Sequence, residues 1–262
     1  MVKDALGDRM KKYYEEVSKT RLVRRMPVII RLDGKAFHTF TRGLDKPFDS
    51  DFNKAMQDTM KYLCENIQGC VLGYTQSDEI TLVLLDYQTL QTDAWYDYEV
   101  QKMTSVSASM ATLAFNRAIA TIVDNLHIIA THMNPEDGKP SELDLWESKL
   151  FKAMFDSRVF NIPKEEVTNC ILWRQLDAER NSINALAQSL FSHKSLQGLN
   201  RKETVAKMEL EKGVIWGNLP TMLKRGSCCI RDEAGHWFID KEIPIFKEDG
   251  RNYIEKLIQV GE

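Results

Sequence analysis

The stretch CVLGYTQSDEITLVLLD, residues 70–86, consists of two apolar runs joined by a short polar turn. Each run has the length and the aliphatic and aromatic content of a β-strand. Because only Gln76, Ser77 and Asp78 separate the runs, the pattern predicts a tight β-hairpin. The acidic pair Asp78 and Glu79 then lies at the turn, where carboxylates either face water and end the strand or hold a metal ion.

The segments around this hairpin predict a strand ended by an Asp-Gly turn, a capped helix, and, after the hairpin, two helices and a fourth strand. The predicted order is β-α-β-β-α-β with one inserted helix, which is the ferredoxin-like arrangement. The segments are, in chain order, Pro27–Gly34, a helix capped by Asp49 or Ser50 and ended by Gly69, a helix over about Tyr98–Asn125, a polar loop at Met133–Pro140, a helical SELDLWESKLFKAMF, and a strand at Ser157–Pro163.

The remainder of the chain predicts mainly helices. Pro163 suits the first position of one helix, and Asn200 with Glu203 has the spacing of a capping box on another. The segment SCCIRDEAGHWFIDKEIP alternates like a terminal hairpin. We therefore expect an α+β fold with a catalytic domain at 1–165 and a helix-rich C-terminal region at 166–262 packed on it.

Composition limits the classes of protein that fit. The chain has 262 residues, a net charge of −3, and no run approaching the roughly 18 apolar residues of a membrane helix. Its charged N-terminus is unlike a signal peptide, so we expect a cytoplasmic protein without a membrane partner. Five cysteines form no CxxC pair and are expected to be buried thiols. The basic clusters KTRLVRR and LKRG suit a polyanion bound at a defined place.

The predicted topology brings acidic residues together. A helical crossover makes the first two strands parallel with a gap between them, and the third strand fills that gap. Asp33 at the end of the first strand and Asp78 in the hairpin turn then share one edge of the sheet. Two carboxylates beside a glycine turn suit Mg²⁺, and two such ions about 3.5–4 Å apart assist nucleotidyl transfer. We expect Glu79, the next strand residue, to point away from Asp78 and to support the site.

These features alone leave several functions open. A metal-dependent nucleotidyl site on such a sheet fits a polymerase palm, a nucleotide cyclase and a diguanylate cyclase equally well. The Gly-Gly-Asp-Glu-Phe signature of dinucleotide synthases does not occur in the sequence. A non-catalytic RNA-binding module is a third alternative, but it has no need of the acidic pair.

Two motifs resemble those of the tRNA(His) guanylyltransferase superfamily, the 3′–5′ nucleotide-adding polymerases. The family motif R-(I/L)-D-G-x-x-F-H-x-F is matched by Arg31–Phe40, and an aromatic residue followed by Q-S-D-E is matched by Tyr74–Glu79. The segments FDSRVFNIP and LPTMLKRG resemble two further family motifs. The similarity spans roughly residues 20–230 and implies a polymerase-like palm.

The resemblance also implies roles for individual residues. The catalytic acids are Asp33, Asp78 and Glu79, and two Mg²⁺ ions are held by Asp33, Asp78 and the Gly34 carbonyl. The residues implied or expected to bind the nucleotide are Gly34, Lys35, Ala36, Phe37, His38, Lys46, Ser77 and Lys102. Contacts with RNA are expected at Arg25, Arg180, Asn181, Lys224 and Arg225.

The implied reaction activates the 5′ end of a tRNA with ATP or GTP, after which the 3′-hydroxyl of an incoming nucleoside triphosphate attacks the activated phosphate. One departure bears on the substrate. Eukaryotic members have His-Ile-Asn-Asn-Leu-Tyr-Asn after an Arg-Gln pair, whereas Glu179 takes the place of that histidine here. The form DAERNSI resembles the Thg1-like branch, which repairs 5′-truncated tRNA by templated addition. We favour repair over untemplated guanosine addition to tRNA(His), and the family implies a homotetramer.

Overall fold

The hairpin at residues 70–86 forms the centre of a six-stranded sheet. The computed structural model describes residues 4–132 and 142–260. Ser77 and Asp78 make the two-residue turn, and Ser77 has a left-handed backbone with φ +49°. The strands are β1 (Val28–Gly34), β2 (Cys70–Gln76), β3 (Glu79–Leu84), β4 (Phe155–Asn161), β5 (Ser227–Arg231) and β6 (Trp237–Asp240).

The strand order is β4-β1-β3-β2-β5-β6, and every pairing is antiparallel. The first four strands therefore have the predicted ferredoxin-like order, in which β3 fills the gap between β1 and β2. The C-terminal hairpin that the sequence predicts is also present, but it joins the same sheet beside β2. The sheet thus continues across residue 165, and the division into two domains there stays a prediction.

The helices connect and flank these strands. In the described residues they are α1 (Ala5–Met10), α2 (Phe37–Phe40), α3 (Ser50–Asn66), α4 (Val100–His132), α5 (Leu143–Glu147), α6 (Lys164–Leu190), α7 (His193–Leu196), α8 (Arg201–Lys212), α9 (Thr221–Arg225) and α10 (Asn252–Glu255). A π-helical turn covers Lys11–Glu15, and 3₁₀ turns cover Glu16–Ser18, Trp95–Tyr98, Trp216–Asn218 and Glu248–Arg251.

Alternation along β1 separates two hydrophobic cores. Val28, Ile30 and Leu32 face α3 and α4, whereas Ile29 faces the opposite side and packs with residues of α6 such as Val167. Asp49 caps α3 as predicted, because its side chain accepts a hydrogen bond of 2.8 Å from the Phe52 amide. The sheet is therefore covered on one face by α3 and α4 and on the other by α6.

Three predicted boundaries are wrong. Helix α4 extends to His132 instead of about Asn125, and β4 begins two residues early at Phe155. Only Leu143–Glu147 of the predicted helix before β4 is helical. The chain leaves the helix there because the Lys149 ammonium group turns inward and donates to the carbonyls of Phe40 and Arg42. The predicted polar loop at Met133–Pro140 lies outside the described residues.

Helix α4 is long and apolar enough to cross a membrane by length and composition alone, a property that the short apolar runs of the sequence did not predict. Its inner face carries Phe115 and Ile119, which are fully buried in the core against the sheet and α3. The five cysteines are free and buried, as expected from their spacing.

Candidate active site at the edge of the sheet

The two acidic segments meet where β1 ends and the β2–β3 turn lies, as the topology predicts. This end of the strands is called the acidic edge. Asp33 lies directly opposite Glu79 in the pairing of β1 with β3. The Gly34 amide donates a hydrogen bond of 3.0 Å to the Asp78 carbonyl, which ties the end of β1 to the hairpin turn. Residues that lie 45 positions apart in the sequence therefore form one cluster.

The carboxylates of Asp33 and Asp78 are not neutralised by a basic side chain in direct contact within the described part of the chain. Burial raises the pKa of Asp33, and the charges of Asp78, Glu79 and Asp156 raise it further. Burial also raises the pKa of Asp78, although the Ser77 hydroxyl opposes this by donating a hydrogen bond of 2.9 Å. Two partly buried acids that repel each other are an arrangement that a divalent cation stabilises.

The donor set fits Mg²⁺ better than a metal held by protein side chains alone. Among residues 4–132 and 142–260, no group of three or more His, Cys, Asp or Glu side chains is placed to hold a metal. Mg²⁺ typically takes only one or two carboxylates and completes its octahedron with phosphates and water. Asp33, Asp78 and the Gly34 carbonyl meet that requirement when a nucleotide supplies the remaining oxygens.

Glu79 has a different environment from the other two acids. Its carboxylate accepts a bond of 2.5 Å from the Arg174 guanidinium group and one of 3.3 Å from the Gln76 side chain, and Arg31 lies 3.6 Å away. Because register partners share a face, Glu79 lies on the same face as Asp33, and its expected orientation away from Asp78 stays a prediction. The Arg174 guanidinium group of α6 balances the charge of Glu79, so Glu79 is placed to support the site.

Arg174 links this edge of the sheet to α6. Its side chain is only 4% exposed, and its Nη2 also donates to Asp177 at 2.7 Å. Trp173 covers the network, since the guanidinium groups of Arg31 and Arg174 lie 5.0 and 4.4 Å from its ring centroid. Sequence reasoning noted the Arg-Gln pair only as a landmark and missed this role.

The loop after β1 has fewer free backbone amides for binding an anion than the glycine turn suggests. The amides of Gly34 and Lys35 already donate to Asp78 and Met154. Ala36, in a left-handed conformation, precedes α2, so the remaining amides are those of Ala36, Phe37 and His38. The Phe37 ring is buried among other aromatic rings, and the His38 ring is exposed, so the contact of both residues with a nucleotide stays a prediction.

A cavity of about 250 Å³ lies between the loop after α2, the hairpin turn, α6 and α9. Three residues predicted to bind nucleotide or RNA line it, namely Lys46, Ser77 and Asn181. Sequence reasoning missed other lining residues, including Asn53, Ser182, Met222 and Gly226. The LPTMLKRG segment contains two of them, and its resemblance to a family motif was the available signal.

Two of the three basic residues near α6 and α9 that were predicted to contact RNA have protein partners. Arg180 is 60% exposed and pairs with Asp177, whereas the Lys224 ammonium group donates to the Gly217 carbonyl at 2.5 Å and lies over Trp216. Arg225 is half-buried, and its Nε has no hydrogen-bond partner among the described residues.

Two residues lie at the opposite end of the strands, namely Lys102, which was predicted to bind the nucleotide, and Arg25, which was predicted to contact RNA. Strand β3 runs from Glu79 at the acidic edge to Leu84 at the far edge, and α4 begins only after it. Lys102, in the first turn of α4, therefore lies away from Asp33, and its ammonium group lies over the Tyr96 ring. The Arg25 amide donates to Asp86, just beyond the end of β3. Within this chain, neither residue joins the acidic cluster.

Comparison with known proteins identifies a family. The family model for tRNAHis guanylyltransferase matches residues 7–163. A bacterial tRNA(His) guanylyltransferase (Thg1)-like protein in complex with ATP is 42% identical, covers 97% of this chain and 99% of its own, and superposes with a TM-score of 0.81.

Two further proteins agree with this match. A bacterial Thg1-like protein in complex with GTP is 37% identical, with a TM-score of 0.73 and coverage of 97% of this chain and 99% of its own. The tRNA(His) guanylyltransferase of Saccharomyces cerevisiae is 23% identical over 78% of this chain and 82% of the yeast protein. The residues of the acidic edge, the fold around them and these matches lead to one conclusion: the chain belongs to the tRNA(His) guanylyltransferase family of nucleotidyltransferases.

Proposed function

We propose that this protein is a Mg²⁺-dependent 3′–5′ nucleotidyltransferase that adds nucleotides to the 5′ end of truncated tRNA, using the opposite strand as template. The observation that carries the proposal is the pairing of two unneutralised carboxylates, Asp33 and Asp78, beside a cavity lined by Lys46 and Ser77. Repulsion between the acids favours a divalent cation, and a basic side chain beside a metal suits a triphosphate.

ATP or GTP is the activating nucleotide that we propose, because similar bacterial proteins have been solved in complex with each. In this chain Lys46 is available to pair with the phosphates, and the amides of Ala36, Phe37 and His38 to donate to them. Asn181 and Ser182 offer polar groups at the opposite wall of the cavity. These side chains bind and orient the nucleotide.

Asp33, Asp78 and the Gly34 carbonyl would hold the metal. When bound, Mg²⁺ lowers the pKa of the attacking 3′-hydroxyl group and stabilises the leaving pyrophosphate. The Arg174 guanidinium group holds Glu79 beside Asp33 and so fixes the edge on which both ligands lie. The chain thereby orders the oxygen ligands before the nucleotide arrives.

The position aligned with the family histidine favours repair over addition of a single guanosine to tRNA(His). Glu179 accepts a hydrogen bond of 3.0 Å from Arg201, which ties α6 to α8. An acid held in this way does not offer the donor and the neutral ring that a histidine presents. We expect 5′-truncated tRNAs of several kinds as substrates; assembly as a tetramer and cytoplasmic location stay predictions.

A primer-extension assay tests the proposal. The protein is incubated with Mg²⁺, ATP, all four nucleoside triphosphates and tRNAs that lack one 5′ nucleotide and differ in the opposing template base. We expect addition of the complementary nucleotide in each case, and none after EDTA treatment. Addition of guanosine irrespective of the template base would contradict templated repair, and full activity in EDTA would contradict the metal assignment.

A further inference from the structure

One aromatic side chain near the acidic edge is exposed in a conformation that its own backbone disfavours. Phe151 is 75% exposed and has φ +56°. A residue with a Cβ pays about 1–2 kcal/mol for the left-handed region, which glycine and asparagine enter more readily. An exposed ring kept at the expense of backbone strain points to contact with another molecule.

The loop that carries Phe151 is anchored on both sides. Two residues before it, the buried Lys149 ammonium group donates to the Arg42 carbonyl at 3.0 Å. Three residues after it, the Met154 carbonyl accepts a hydrogen bond of 2.9 Å from the Lys35 amide. Three residues of chain span at most about 10 Å, so the ring is held close to the turn that follows Asp33.

The surroundings of the ring are basic. The side chains of Lys35, Arg42 and Lys152 are exposed, and their backbones lie close to the loop, because Lys35 bonds to Met154, Arg42 bonds to the buried Lys149, and Lys152 follows Phe151. The acidic Asp156 nearby is paired with Arg158 at 3.3 Å. An aromatic face among cations is the combination that binds nucleic acid, because bases stack on the ring while phosphates pair with the cations. A symmetric contact with a second copy would instead bring like charges together.

We propose that Phe151 is a stacking platform for the terminal base at the 5′ end of the RNA, just outside the acidic edge. This inference rests on the proposed function, because it assigns a contact to the RNA substrate of that site. The nucleotide has a separate cavity, and Phe151 does not line it. The ring therefore contributes to the affinity for RNA and to the position of the 5′ end, and it leaves nucleotide binding unchanged.

Replacement of Phe151 by asparagine distinguishes the effect of backbone strain from the effect of contact with RNA. Asparagine tolerates a left-handed backbone, so Phe151→Asn is expected to melt at a temperature equal to or above that of the unmodified protein. Loss of stacking is expected to weaken binding of 5′-truncated tRNA by about 5- to 100-fold. The matched control is Leu90→Asn, which removes a side chain that is 92% exposed beyond the far end of β3. It should not change affinity for the RNA.

The assay uses fluorescence anisotropy with labelled tRNA and, in parallel, calorimetric titration with ATP. Phe151→Trp should retain RNA binding because it restores an aromatic face. A tRNA with an abasic unit at its 5′ end should bind unmodified protein and Phe151→Asn equally well, since no base remains to stack. ATP affinity should be the same in every variant.

Three results overturn the inference: unchanged RNA affinity in Phe151→Asn, an equal loss with the abasic tRNA, or a change of oligomeric mass in sedimentation that accounts for the loss. The last would make Phe151 a subunit contact. Failure of the unmodified protein to bind or extend tRNA would instead refute the proposed function.

Discussion

Asp33 and Asp78 share an edge of the sheet and a sign of charge, and neither carboxylate contacts a basic side chain among residues 4–132 and 142–260. Replacement of either carboxylate by its amide removes a metal ligand and a repulsion together. We expect Asp33→Asn and Asp78→Asn each to lower the rate of extension by at least about three orders of magnitude, or ~4 kcal/mol. The midpoint of urea unfolding should stay the same or rise. A variant that keeps near-normal activity at saturating nucleotide would refute its residue as a ligand.

Arg174 and Arg180 both contact Asp177, but only Arg174 is buried and also holds Glu79. Arg174→Met removes the closest basic partner of Glu79 and one of the two basic partners of Asp177, and we expect it to lower the free energy of unfolding by about 1–3 kcal/mol. This is less than for a fully buried pair, because Arg31 still lies near Glu79.

The exposed pair is the matched control, since Arg180→Met should change stability by less than about 1 kcal/mol. Urea unfolding followed by circular dichroism compares the two variants. Equal losses of stability would show that burial does not distinguish these arginines.

Among the individual residues, the sequence was sufficient to predict the positions of those acids that follow from the strand topology. Asp33 and Asp78 meet because strand order and the tight turn leave no alternative. The environment of Glu79 was not predictable, because its partner Arg174 lies on a helix whose packing against the sheet has no local signal. The position of Lys102 at the other end of the strands was not predictable, because a matching motif says nothing about the end of the sheet at which a helix begins.

Among the connecting elements, the link from α9 to β5 depends on Gly226. Its φ is +82°, and a Cβ there would lie 2.5 Å from the Thr75 carbonyl oxygen. Gly226→Ala therefore combines backbone strain with overlap, and we expect it to lower the free energy of unfolding by more than about 3 kcal/mol. Gly198→Ala is the control, because its φ is +84° and a Cβ at that position would have no atom within 4 Å among the described residues.

Strain alone should cost about 1–2 kcal/mol in that control. Thermal unfolding of both variants measures the difference. Similar effects in the two would mean that the backbone near Thr75 moves aside. The same comparison bears on the cavity, since Gly226 lines it and Gly198 does not.

Elements with strong periodicity were predicted correctly, and those fixed by tertiary contact were not. The hairpin, α3 and its Asp49 cap follow from local pattern. The segment after Glu147 has helical spacing, yet it is irregular because Lys149 bonds to carbonyls more than 100 residues away in sequence. Propensity has no information about such a partner.

For the molecule as a whole, residues before and after position 165 contribute to the same sheet and to both hydrophobic cores. A fragment of residues 1–165 would lack β5, which pairs with β2, and α6, which covers Ile29 and Val83. We expect this fragment to bind a hydrophobic dye and to melt without a cooperative transition, whereas the full chain melts in one step. Circular dichroism and size-exclusion chromatography measure both. A fragment that melts cooperatively as a monomer would establish the predicted domain boundary.

The arrangement of the cavity also sets the order in which the protein becomes competent during synthesis. Its walls include Ser77, made early, and Met222 and Gly226, made near the end. At 5–20 residues per second the ribosome needs roughly 7–30 s to pass from one to the other. A nascent chain therefore carries Asp33 and Asp78 before the cavity that we propose for the nucleotide is complete, and we expect an unfinished polypeptide to be inactive on the tRNAs that surround the translating ribosome.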